Sequence, residues 1–302
     1  MRDPDTLYTV NEEVAEQVGD APVLVHLVRG FVDAGAAGQV AAEHLTEQFT
    51  PQRLVTFDVD ELVDYRSRRP MMTFDRSTWN EYDEPELAID LMHDREGAPF
   101  LLLHGVEPDI RWESWVAAVR RIVERFGVRL VVGVHGIPMG VPHTRPLGFT
   151  AHATRSDLVE EHPMWFGSVR VPASASALLE HRLGRWGHDA MGFAVHVPHY
   201  LAQSAYPQAA MVALGQLEKT TGLDLASGAL ESAAREAAAE IERQMAGSPE
   251  VASVVHALEK QYDDAVRAID GPGLLGEDLP TADELGAEFE RFLAQQEDGG
   301  EG

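Results

Sequence analysis

APVLVHLV, residues 21 to 28, is an apolar run interrupted only by His26, and GFVDAGAAG, residues 30 to 38, follows it after Arg29. A short apolar run bounded by a glycine-rich turn reads as a buried strand. Beyond the turn, Ala37, Val40, Ala41, His44, Leu45 and Phe49 fall on one face at helical spacing, so the strand passes into a helix. The same alternation continues outward. RLVTFDV (53–59), PFLLLHG (99–105), VRLVVGVHG (128–136), LGFTAHA (147–153) and MGFAVHV (191–197) read as further strands. Helices are expected with Trp112, Val116, Val119, Val123 and Phe126 on their inner stripe, over Ser174 to Trp186, and from Pro207 to about Thr220. Strands alternating with helices predict an α/β fold with a largely parallel sheet.

From about residue 223 the strand signals stop. Leu230, Ala234, Ala237, Ile241 and Met245 recur at steps of three and four, and after Gly247-Ser248-Pro249 so do Val251, Val254, Leu258, Tyr262, Val266 and Ile269. An αα-hairpin is the natural reading. A short helix around Leu285, Phe289 and Leu293 is expected next, then a disordered tail, EDGGEG. The chain thus divides into an α/β domain, 1–222, and a helical extension, 223–302. Between residues 216 and 302 there are 20 acidic and 6 basic residues, a net charge of −14. Solvated helix faces account for such charge, and a basic partner surface is the alternative.

Composition narrows the function. The 302 residues carry 24 Lys and Arg against 50 Asp and Glu, a net charge of −26, which argues against a nucleic-acid binder because phosphate affinity rests on basic side chains. Hydrophobic residues make up 44%, enough for a packed core rather than disorder. There is no Cys, so disulfides, thiolate metal sites and thiol nucleophiles are excluded. Lys219 and Lys260 are the only lysines, both in helical, polar surroundings late in the sequence, and no GxxxxGK[ST] loop occurs, which argues against an ATP-dependent ligase. The N-terminus has no apolar run of the signal-peptide kind and no later run approaches ~18 residues, so a cytoplasmic chain with no membrane partner is expected.

Ligands of open α/β sheets bind beyond the carboxyl ends of the strands, and the polar residues there are the candidates. After the first strand come Arg29, Gly30 and Asp33; Asp33 suits a helix cap better than an anion site. The run at 99–105 leads to Glu107, with no obvious structural task, and Asp109, a plausible cap. VHGIPMGVPHTRP brings His135, His143 and Arg145 together with three prolines, and HVPHY supplies His196, His199 and Tyr200. These residues either present side chains to a ligand or satisfy buried backbone. His-x-x-His across a proline fixes no third ligand, so neither metal nor cofactor is expected. There is no GxSxG elbow or HExxH helix, and the GxGxxG at 271–276 follows a helix rather than a strand, so it supports no dinucleotide site.

GFVDAGAAG, VDYRSRRP, GVEPDIRW, IPMGVPHTRP, VPHYLAQSAYP and ALEKQYDD, in that order between about residues 20 and 270, resemble the actinobacterial branch of the type 2 proteasome assembly chaperone family. The resemblance implies a three-layer α/β/α sandwich of the phosphorylase/hydrolase-like kind, a helical C-terminal extension and a homo-oligomer, with a trimer preferred. Members are labelled proteasome-related or carboxylate–amine ligases, and no catalytic residues carry over. Proteasome-docking members share a hydrophobic-Tyr-any tail, whereas this sequence ends Gly299-Gly300-Glu301-Gly302. Two functions follow as expectations. One is a cytoplasmic homo-oligomeric chaperone or adaptor that binds proteins, a proteasome or its substrates among them. The other is a hydrolase or transferase acting on a small anionic metabolite. The second expects Arg29, Glu107, His143, Arg145 and His199 to line one pocket; the first expects them scattered or bonded within the chain.

Overall fold

A computed structural model describes residues 3–19, 23–30, 32–162, 167–246 and 249–270. In chain order the strands are β1 (Tyr8–Val10), β2 (Val23–Arg29), β3 (Gln52–Phe57), β4 (Met72–Asp75), β5 (Thr78–Tyr82), β6 (Leu87–His93), β7 (Pro99–Val106), β8 (Leu130–Met139), β9 (Phe149–Ala153) and β10 (Asp189–Pro198). The helices are α1 (Glu12–Ala15), α2 (Ala37–Gln48), α3 (Trp112–Arg125), α4 (Ala175–Arg185), α5 (Pro207–Thr221), α6 (Glu231–Ala246) and α7 (Pro249–Asp270). Eight strands form one sheet in the order β1-β3-β6-β7-β2-β8-β10-β9, and β4 and β5 pair apart from it as a hairpin.

Strand alternation divides the core. Leu24, Leu101, Leu103 and Val131 face α3 and α4, whose Trp115, Val119, Ile122, Leu179 and Leu183 complete the first core. Val25, Leu27, Phe100, Leu102 and Val132 face the other way, onto Ala37, Ala41 and Leu45 of α2 and Ala210, Ala213 and Leu214 of α5. The expected three-layer sandwich is therefore present. Each large side chain fully buried in this way contributes roughly 1.5–3 kcal/mol. Small residues on α2 and α5 let both helices lie close to the sheet and to each other.

The sheet is mixed rather than largely parallel. β7, β2, β8 and β10 run parallel in the centre, while β6, β3 and β1 on one side and β9 on the other are antiparallel to their neighbours. β1, β6 and the β4–β5 pair escape the sequence reading. β6 carries Asp90 in the middle of its buried run; the carboxylate meets Arg53 at 2.6 Å and His104 at 2.8 Å, so a charge that reads as a break is paired across β3 and β7. Burial alone would raise the Asp90 pKa, but the hydrogen bonds from His104 and Arg53 hold it low. β4 and β5 are exposed along their whole length and show no buried alternation.

The helical extension packs on its own chain. α6 lies against α5, with Ala234 buried and Leu230 and Ile241 against the second core, and α7 lies against α6. The expected short helix near residue 289 and the tail lie outside the described residues. No helix among the described residues is long and apolar enough to cross a membrane.

Candidate functional site

The connection from β2 runs through α2 on one face of the sheet, and that from β7 runs through α3 on the other. Their carboxyl ends are neighbours, so the chain diverges there and leaves a crevice, the usual place for a ligand in such a sheet. A cleft of about 630 Å³ opens at this point, lined by Arg29 and Gly30 from β2, Val106 to Asp109 from β7, Arg68, Trp112, and Pro172 and Ala173.

Two of the expected residues, Arg29 and Glu107, meet in it. Glu107 is 3% exposed, and its carboxylate accepts the Ala175 N–H at 2.5 Å at the start of α4, where Ser174 also caps the Ala177 N–H at 3.0 Å. This supplies the structural task that the sequence left open: a carboxylate satisfying a helix N-terminus. A side chain at residue 30 would place Cβ 2.3 Å from Glu107 Oε2, so glycine there lets the carboxylate reach the helix. Arg29 is exposed and makes no hydrogen bond or ion pair through its side chain among the described residues. Asp109 is not a helix cap. It accepts the Asp64 N–H at 2.9 Å and Arg68 at 2.6 Å, fixing the 62–68 segment over the cleft, and α3 starts instead from Arg111 in the left-handed region.

Asp33 lies beyond the crevice. Its carboxylate accepts N–H groups from Gly38 (2.9 Å) and Gln39 (3.0 Å) in the first turn of α2, and from Gly136 on β8 (2.9 Å). The capping reading of Asp33 describes these contacts.

His143, Arg145, His199 and Tyr200 gather elsewhere, at the ends of β8 and β10. Tyr200 Oη accepts the His143 backbone N–H at 2.9 Å and meets its Nδ1 at 2.7 Å, and the His199 ring stands edge-on to Tyr200. Burial lowers the His143 pKa, against the opposing pull of Glu242 and Glu259, and raises that of Tyr200. Arg145 donates two parallel bonds of 2.8 Å to Asp263 on α7, and Thr144 donates to Glu259 at 2.6 Å. Tyr262 of α7 closes the contact on the Pro146 carbonyl at 3.1 Å. The proline-rich loop is thus gripped by the helical extension of the same chain.

Sequence reading missed a third group. His26, Gly133, Gly192 and His152 are register partners across β2, β8, β10 and β9. The His26 ring covers Gly133, where an added Cβ would lie 2.1 Å from it, and the His152 ring covers Gly192. His135 stands 6.2 Å from His152, and His152 Nδ1 meets Glu180 at 2.8 Å. Burial, reinforced by the neighbouring imidazoles, pushes His26 down to about 3 and His135 to about 4. A glycine opposite a histidine on adjacent strands is the available signal, but it needs the register. No set of three or more His, Asp or Glu among the described residues is arranged to hold a metal ion.

A further feature lies on the segments next to the cleft-lining residues in sequence. Of the nine large apolar side chains exposed among the described residues, eight lie on these segments: Met71, Met72, Phe74, Trp79 and Tyr82 on the β4–β5 hairpin that follows Arg68, Ile110 beside Asp109, and Val169 and Val171 before Pro172. Phe74 (55% exposed) and Trp79 (64%) are cross-strand partners with ring centres 4.9 Å apart. Arg69 and Arg170 on the same segments are exposed and, like Arg29, form no ion pair among the described residues.

Comparison with known proteins gives the lineage. A Mycobacterium tuberculosis protein of unknown function is 45% identical, with 87% of this chain and 92% of that one aligned at a TM-score of 0.84. A Corynebacterium glutamicum protein of unknown function is 36% identical over 87% and 98% of the two chains, with a TM-score of 0.82. A PAC2 family protein from Streptomyces avermitilis is 26% identical over 78% and 99%, with a TM-score of 0.68. No curated protein matches. The family model of the PAC2 family matches residues 27–245, the part that holds the cleft, both cores and α6, and the chain belongs to the PAC2 family.

Proposed function

We propose that this PAC2 protein works by binding other proteins, as a cytoplasmic homo-oligomeric chaperone or adaptor whose partner is a proteasome particle, with a trimer as the preferred assembly. The observation that carries the reading is the group of exposed apolar side chains on the β4–β5 hairpin and on the segments next to the cleft-lining residues. Soluble monomers rarely expose such residues together, and aromatic and Met side chains with arginines are what protein interfaces favour. The family supplies the partner: a Mycobacterium tuberculosis proteasome-assembly chaperone homologue shares the fold at 24% identity and a TM-score of 0.71. The alternative, an enzyme of a small anionic metabolite, rests on the crevice and on Arg29. Its five expected residues are divided between two places, and Glu107 and Arg145 are engaged within the chain. The division favours the binding reading.

The test is sedimentation of the purified full-length chain alone and with purified proteasome particles of its own organism. Association of the oligomer with the particles, lost in F74A/W79A with an unchanged melting temperature, is expected. A monomer that ignores the particles, or a double variant that binds as well as the parent, would end the proposal.

A further inference from the structure

The chain has no cysteine, so its nine methionines carry all of its sulfur. Thioethers are oxidised according to their exposure, and their exposure here is uneven. Met92 and Met191 are buried in the second core, and Met139, Met211 and Met245 are half-buried. Met71 is 73% exposed and Met72 45%, and no other methionine among the described residues faces water to that extent.

The two lie where a change of polarity matters. Met71 stands at the base of the β4–β5 hairpin, where its carbonyl accepts the Asp83 N–H at 2.9 Å. Within the hairpin Phe74 pairs with Trp79, and a shift of register then sets Tyr82, rather than Glu81, opposite Met72. Residues directly opposite each other point to the same side, and Met72 and Phe74 are two apart, so Met72, Phe74, Trp79 and Tyr82 make one apolar face. Residues 71–84 also hold four carboxylates, Asp75, Glu81, Asp83 and Glu84, against Arg76, a net −3. An anionic oxidant is repelled there and an uncharged hydroperoxide is not.

We propose that Met71 and Met72 form an oxidation site at which a hydroperoxide weakens the hairpin as a binding surface. The thioether sulfur attacks the outer oxygen of the hydroperoxide, and an S–O bond forms as the O–O bond breaks. Sulfur gives up two electrons, the proton of the transferred hydroxyl passes through solvent to the departing oxygen, and that oxygen leaves as water or an alcohol. The sulfoxide is a polar hydrogen-bond acceptor on a face that binds by being apolar, and methionine sulfoxide reductases reverse the change. The inference rests on the reading of the hairpin as a protein-binding surface.

Peptide mapping by mass spectrometry of the full chain in dilute hydrogen peroxide reads the site. Sulfoxide should appear at Met71 and Met72 at least about fivefold faster than at Met139, Met211 and Met245. Once both are oxidised, association with proteasome particles should weaken about tenfold, and sulfoxide reductases should restore it. M71L/M72L, compared with itself before peroxide, should change less than about twofold. A second reading needs no partner: the fluorescence of an apolar dye that F74A/W79A removes from the parent should fall at least about threefold on oxidation. Equal oxidation rates, unchanged dye fluorescence, or an M71L/M72L variant as sensitive to peroxide as the parent would overturn the inference. Particle binding that is lost in F74A/W79A but survives oxidation would overturn it too, and would leave the proposed function standing. Particles bound equally by the parent and F74A/W79A would end the proposed function, and the oxidation rates and the dye would still decide the site.

Discussion

The carboxyl edge of the sheet has an open end and a closed one, and the same residue types lie at both. Between β2 and β7, Arg29 stands exposed at a cleft and forms no ion pair among the described residues, and the apolar side chains on neighbouring segments of the chain face solvent. At the ends of β8 and β10, Arg145 is fixed by two bonds to Asp263, and His143 is fixed by Tyr200. An arginine on a loop after a strand is therefore no evidence of a ligand site by itself. The packing of a helix 118 residues away decides whether it is one. Groups engaged within the chain should govern stability, and those at the open end should govern binding.

The largest expected effect is on acid stability. His26, His135 and His196 have folded pKa values near 3, 4 and 4 because burial disfavours their charged forms, against about 6.5 when unfolded. Between pH 6.5 and about 4 the unfolded chain binds protons that the folded chain refuses, so stability is lost as pH falls through that window. The slope reaches roughly 4 kcal/mol per pH unit if all three titrate together. Urea midpoints measured from pH 7.5 to 4.5 should show the decline, and H26Q should flatten it. A level profile down to pH 5 would mean that these imidazoles are charged in the folded protein.

Next comes Asp33→Ala, which removes the acceptor shared by Gly38, Gln39 and Gly136. A loss on the order of 3 kcal/mol is expected in urea unfolding, since three backbone donors lose their partner. A cost below about 1 kcal/mol would show that water replaces the carboxylate, and Asp33 would then belong with the open end.

Arg145→Ala should be smaller and local. Amide exchange along α7 should quicken by about two- to fivefold, the range of a solvent-accessible ion pair, with β2, β7 and β8 unaffected. Unchanged exchange in α7 would contradict the account of the loop as a grip. F74A/W79A should move stability least, within about 0.5 kcal/mol, because both rings already face water. A loss of several kcal/mol in the isolated protein would instead make the hairpin part of the fold.

What the sequence determined by itself is the layered architecture. A buried strand must be apolar on both faces and a flanking helix apolar on one, so the run at 21–28, its successors and the helices at 37, 112, 174 and 207 were legible from local chemistry. The αα-hairpin was legible for the same reason, and so was the cap chemistry of Asp33. What only tertiary structure decided depends on partners far away in the chain. β6 is a strand because Arg53 and His104 neutralise Asp90. His26 and His152 fit because Gly133 and Gly192 lie opposite them in register. Of the candidate site, Arg29 and Glu107 share a cleft because β2 and β7 are neighbours with connections on opposite faces, whereas Arg145 is occupied because α7 returns to it. Periodicity records which side of an element is buried; it carries no record of which charge, glycine or carbonyl will lie across from it, and that pairing fixes whether a polar residue is structural or free to bind.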